Sequence, residues 1–97
     1  MTLLQRLERY TQGRSTEVWI VHAIVDGEPD QVMVFKGFSS SLMRPTAFDP
    51  DVPVLPPDAT ITAVDRAMAP FKPTEPRYLD QGLSIDHVDA LLAAADC

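Results

Sequence analysis

Eight of the chain's nine prolines fall between Pro45 and Pro76, and no other feature restricts the fold as sharply. Proline fixes φ and has no N–H to donate, so this stretch is closed to helix interiors and central strands. Such a composition ordinarily marks a linker. The chain beyond Pro76 is far shorter than a domain, however, and a linker needs a domain on each side. The segment therefore belongs to a single domain spanning residues 1–97.

Two runs inside it, Pro50-Asp-Val-Pro53-Val-Leu-Pro56 and Pro70-Phe-Lys-Pro73-Thr-Glu-Pro76, repeat proline at three-residue intervals. Polyproline II has three residues per turn, so each run would align its prolines along one edge. Phe48, Val52, Val54, Leu55, Phe71 and Tyr78 are interleaved with or flank these prolines. The simplest reading is a pair of rigid straps lying over the domain's own sheet, with those apolar side chains filling the core. Long irregular connections often carry function, so any side chain the core leaves over becomes a docking candidate, Phe48, Val52 and Leu55 first.

Around the prolines the patterning is regular. Thr2 and Gln5 fit a capping box for a helix over Thr2–Tyr10, with Leu3, Leu7 and Tyr10 on one stripe and Gly13 as its stop. "EVWIVHAIV" (17–25) and "DQVMVFKGF" (30–38) are rich in β-branched and aromatic residues and flank Asp26-Gly27, a strong hairpin signal. Both faces of the first strand are apolar, so it should be covered on both sides. "ATITAVD" (59–65) predicts a third strand. Ser84 is an N-cap, Leu83 and Val88 a hydrophobic staple, and Ile85, Val88, Leu91, Leu92 and Ala95 the buried face of a last helix. The expected fold class is α+β: a small antiparallel sheet of about three strands, N- and C-terminal helices, and long proline-rich loops. The alternative is a small, partly open β-barrel with the C-terminal helix as a plug.

Charge narrows the partners. With 14 acidic and 8 basic residues the formal net charge is −6, and no Lys or Arg stripe offers itself to a phosphate backbone. Arg6, Arg9 and Arg14 share the N-terminal region but read as a solvated helix face. The single cysteine, Cys97, allows neither an intrachain disulfide nor a thiolate cluster. No apolar run is long enough to span a bilayer, and "MTLLQRLERY" lacks a signal-peptide core. A cytoplasmic protein without membrane insertion is expected.

Few motifs carry chemistry. Gly37-Phe-Ser39-Ser-Ser41 lacks the second glycine of a nucleophile elbow. Asp49 and Asp51 have no EF-hand context, and His22 and His87 have no partner ligands for a metal. No catalytic residue, metal or cofactor is expected. "KGFSSSLMR" (36–44) remains. It reads as a serine turn in which Ser39, Ser40 and Ser41 open a short helical turn near Lys36 and Arg44, an arrangement suited to an anion, or as serines that only cap the turn.

The wording of Phe35-Lys-Gly-Phe-Ser-Ser-Ser-Leu42, of Pro45–Pro57, of "ATITAVDR" and of "YLDQGL" resembles a small family of uncharacterised proteins from cyanobacteria and plant chloroplasts, over about Val18–Leu83. The resemblance implies a setting, the cytosol of a photosynthetic bacterium or the plastid stroma, and no activity. The expectation is a non-enzymatic protein-interaction, assembly or regulatory module. It would bind a protein partner through Lys36, Phe38, Ser39, Ser40, Ser41, Arg44, Phe48, Val52 and Leu55. The alternative is a small anionic ligand held by Lys36, Ser39–Ser41 and Arg44, and nucleic-acid binding ranks below both.

Overall fold

The structure, a computed structural model, describes residues 2–42, 55, 59–72 and 74–97. Its elements are α1 (Leu3–Gln12), β1 (Glu17–Val25), β2 (Glu28–Phe35), β3 (Phe38–Ser41), β4 (Thr60–Met68), β5 (Tyr78–Leu83) and α2 (Ile85–Ala94). The α+β class holds. The sheet has five strands in the order β3-β2-β1-β4-β5, every neighbouring pair antiparallel, against the three expected. Among the described residues its two ends, β3 and β5, do not pair, so the sheet is not closed into a barrel.

Local chemistry accounts for most of these elements. Thr2 and Gln5 complete the capping box, the Gln5 N–H donating to Thr2 Oγ1 and the Thr2 N–H to Gln5 Oε1. Asp26 and Gly27 both have positive φ, 52° and 78°, the condition for the two-residue turn that matches strand twist. Lys36 and Gly37 repeat this at 51° and 85°, and that second tight turn makes β3. The expected helical serine turn is therefore a strand, with Ser39–Ser41 pairing antiparallel to Val32–Val34.

Both helices lie on one face of the sheet. Trp19, Val21 and Ala23 of β1 form the core there with Leu7 and Tyr10 of α1 and with Val88 and Leu92 of α2. Tyr10 meets Trp19 edge to face, ring centroids 5.5 Å apart at 86°, a geometry worth about 0.5–1.5 kcal/mol beyond area burial. On the opposite face Val18, Ile20 and Ala67 are also buried, as the doubly apolar β1 requires. Leu83 and Val88, the staple pair, are both in the core. Ile85 is not. It begins α2 a turn before the Val88–Leu92 stripe and stays exposed.

The prolines divide. Leu55 sits in the core at 8% exposure, as a strap residue filling the interior would. The Pro70–Pro76 run is the connection between β4 and β5. There the Glu75 N–H donates to the Lys72 carbonyl, a turn bond that polyproline II does not contain. The rest of the Pro45–Pro57 strap lies outside the described residues.

Candidate functional site

The expected binding residues are brought together only in part. Lys36 to Ser41 form the tip and outer strand of the β2–β3 hairpin. Phe38 is 78% exposed and pairs across the strands with Phe35, whose ring the Lys36 ammonium approaches at 5.2 Å. Strand alternation puts Ser39 and Ser41 on the helix side and Phe38 and Ser40 on the other. Ser39 Oγ donates to the Glu8 carboxylate (2.8 Å) and Ser41 Oγ to Asp30 Oδ1 (3.2 Å). The serine hydroxyls thus face acids, a poor setting for an anion. Leu55, expected at the docking surface, packs in the core instead. Arg44, Phe48 and Val52 lie outside the described residues.

The hairpin is held from below. The Gly37 N–H donates to Thr11 Oγ1 (3.0 Å), and the buried Thr11 hydroxyl in turn donates to the Leu7 carbonyl one helical turn back (2.9 Å). A Cβ on Gly37 would come within 2.6 Å of Gln12 Cγ. Phe38 is therefore displayed on a braced turn.

Two polar clusters are hidden from sequence patterning. On the face away from the helices, His22 Nε2 lies 2.6 Å from Asp65 Oδ2, while Asp65 Oδ1 accepts the Gly82 N–H at 2.8 Å. Both flanking ladders slip here: β1/β4 has a bulge between His22 and Ala23, and β5 skips Asp65 with Gly82 at positive φ. Bulges re-aim side chains in this way. With both its oxygens engaged, the nearly buried carboxylate fixes the imidazole, so a neutral His22 carries its proton on Nε2 and presents Nδ1.

On the helix face, Arg66 spans three strands. One guanidinium nitrogen donates a hydrogen bond to Glu17 Oε1 (3.3 Å) and another forms an ion pair with Asp80 Oδ2 (2.7 Å), with the guanidinium 5.7 Å from the Trp19 ring centroid. Tyr10 donates its hydroxyl to the same Glu17 carboxylate. Burial opposes the Arg66 charge, but the Asp80 and Glu17 carboxylates prevail and hold its pKa above the ordinary value. Burial, then the hydrogen bond to Glu17, pushes the Tyr10 phenol up. The sequence signal for both clusters is a charged Asp65-Arg66 pair inside a β-branched run, legible only once their partners on β1 and β5 are placed.

Among the described residues no group of three His, Cys, Asp or Glu is placed to hold a metal ion, and no helix is long and apolar enough to cross a membrane. Arg6 pairs with Asp89 and Arg14 lies over the Tyr10 ring, so the N-terminal arginines do not make one basic face. A family model described as a domain of unknown function (DUF7734) matches residues 4–92. No curated protein and no solved structure matches the chain.

Proposed function

The chain belongs to the DUF7734 family, a domain of unknown function, and from that premise we propose that it is a non-enzymatic protein-interaction, assembly or regulatory module of a photosynthetic cell. In this reading it works in the cytosol or plastid stroma. The partner docks on the β2–β3 hairpin, through Phe38 with Lys36 and Ser40. One observation carries the reading: Phe38, an aromatic side chain 78% exposed, stands on a turn braced from α1. Exposed aromatics on rigid supports are the anchors that dominate protein interfaces. The photosynthetic setting rests only on the resemblance of "FKGFSSSL", "PTAFDPDVPVLPP", "ATITAVDR" and "YLDQGL".

The test places a photo-crosslinking phenylalanine analogue at Ser40, on the same face of β3 as Phe38, in the native cell. The reading expects one reproducible crosslinked protein that is lost in Phe38→Asp while the domain's melting curve is unchanged. No crosslink above that of an analogue at exposed Ile85 would refute it. The alternative, an anionic ligand at Lys36, Ser39–Ser41 and Arg44, draws less support, because the Ser39 and Ser41 hydroxyls are given to carboxylates.

A further inference from the structure

Four of the seven described basic residues of this acidic chain are committed to other groups of the fold. Arg6 bonds Asp89 and the Cys97 carbonyl; Arg14 bonds the Tyr10 carbonyl and covers its ring. Lys36 lies over Phe35, and Arg66 holds Glu17 and Asp80. Among the described residues that leaves Arg9, Lys72 and Arg77 without an ion pair, a side-chain hydrogen bond or a ring contact. Two of those three line one cavity, formed by the β4–β5 connection with Met68, Ala69, Pro70 and Glu75.

The walls of this cavity are anchored. The Met68 N–H donates to the Arg77 carbonyl (2.9 Å), the Ala69 N–H to the Thr16 carbonyl (2.9 Å), and the Glu75 N–H to the Lys72 carbonyl (3.0 Å). Phe71 meets Tyr78 edge on, which fixes the connection against the end of β5. The backbone that carries Lys72 and Arg77 is thus fixed around one concavity, in a protein with carboxylates to spare for neutralising the two cations. The cavity volume is ≈ 130 Å³, room enough for a single tetrahedral oxyanion.

We propose that Lys72 and Arg77 form a binding site for a phosphate monoester. Arg77 supplies a planar fork for two phosphate oxygens, and Lys72 supplies a mobile point charge for a third. Glu75 lines the same cavity and limits affinity, so the site prefers a dianion, which two cations hold against one carboxylate, over a monoanionic carboxylate ligand. This site is separate from the Phe38 hairpin and does not depend on it.

Inorganic phosphate, glycerol phosphate, and a short phosphoserine peptide with its unphosphorylated twin serve as probes, titrated against the ¹⁵N-labelled protein. The proposal expects amide shifts at Ala69, Lys72 and Arg77 with the phosphate probes and none with the unphosphorylated peptide. Arg77→Gln and Lys72→Gln should each weaken phosphate binding by about tenfold, the scale of a lost charge-assisted contact. Glu75→Gln should strengthen it, Lys36→Gln should leave it unchanged, and added salt should weaken it. The phosphopeptide binding more tightly than glycerol phosphate assigns the site to a modified partner; equal affinity assigns it to a free metabolite. No shifts at millimolar phosphate, or loss in Lys36→Gln with retention in Arg77→Gln, overturns the proposal. Phe38→Asp touches none of these residues, so the two proposals fail separately.

Discussion

Asp65→Ala probes the bulged cluster on the face away from the helices, and its cost can be worked out from what the carboxylate touches. It removes the 2.6 Å contact with His22 and the acceptor for the Gly82 N–H. A hydrogen bond to an ionised group contributes about 1.5–3 kcal/mol. The His22 side chain is 31% exposed and that of Asp65 11%, so solvent screens the pair toward the lower end, ~1–1.5 kcal/mol. Gly82 is itself exposed and its freed N–H turns to water, which limits that loss to about 1 kcal/mol. The sum is about 2–2.5 kcal/mol, or a fall in Tm of roughly 8–20 °C for a domain of this size. His22→Ala alone should cost about 1–2 kcal/mol, and the double variant little more than Asp65→Ala. Urea unfolding of all four proteins closes the cycle, with an expected coupling of about 1 kcal/mol. If the two substitutions add to within ~0.3–0.5 kcal/mol, the pair is not coupled and Asp65 does not act through His22.

Tyr10 and Gly37 give two further tests. The Tyr10 phenol, raised by burial and by Glu17, should ionise above its ordinary value of 10.0 in an ultraviolet titration, and Glu17→Gln should bring it back toward that value. Because the folded state holds this proton longer than the unfolded chain, the resulting stability is complete below the unfolded pKa and declines as pH rises beyond it; a melting temperature flat across that window would contradict the assignment. Gly37→Ala should destabilise more than Gly27→Ala. Both sites have positive φ and share a strain of about 1 kcal/mol, but only the Gly37 Cβ meets a neighbour, so equal melting curves would refute the Gln12 contact.

Where side chain and backbone signals are local, the sequence is legible. The capping box at Thr2, the Asp26-Gly27 turn and the Ser84 cap each place an element through chemistry spanning a few residues. Strand β3 is hidden because Lys36 takes positive φ beside Gly37, and lysine is not a residue whose presence announces that conformation. Strand β5 is hidden because an edge strand with only Leu83 buried carries no alternation to read. The third expected strand stops short at Asp65, since a charged pair looks like a strand end until Glu17, His22 and Asp80 are known to satisfy it. The candidate site divides in the same way: the exposed Phe38 is fixed by its turn, whereas the burial of Leu55 depends on packing among residues distant in sequence.

The order β3-β2-β1-β4-β5 also bears on how the chain reaches its fold. On one side of β1, β2 and β3 are added through two-residue turns; on the other, β4 and β5 form a hairpin of their own. Each half can zip from its turns on the microsecond scale of hairpins. Joining them requires β1 to find β4 across residues 42–59, and that single encounter carries most of the chain-closure entropy. Lengthening the connection should therefore slow folding while barely altering stability, since each doubling of a loop costs only about 0.6 kcal/mol. The density of proline in that connection restricts the unfolded chain and so lowers the entropy lost when the two half-sheets meet.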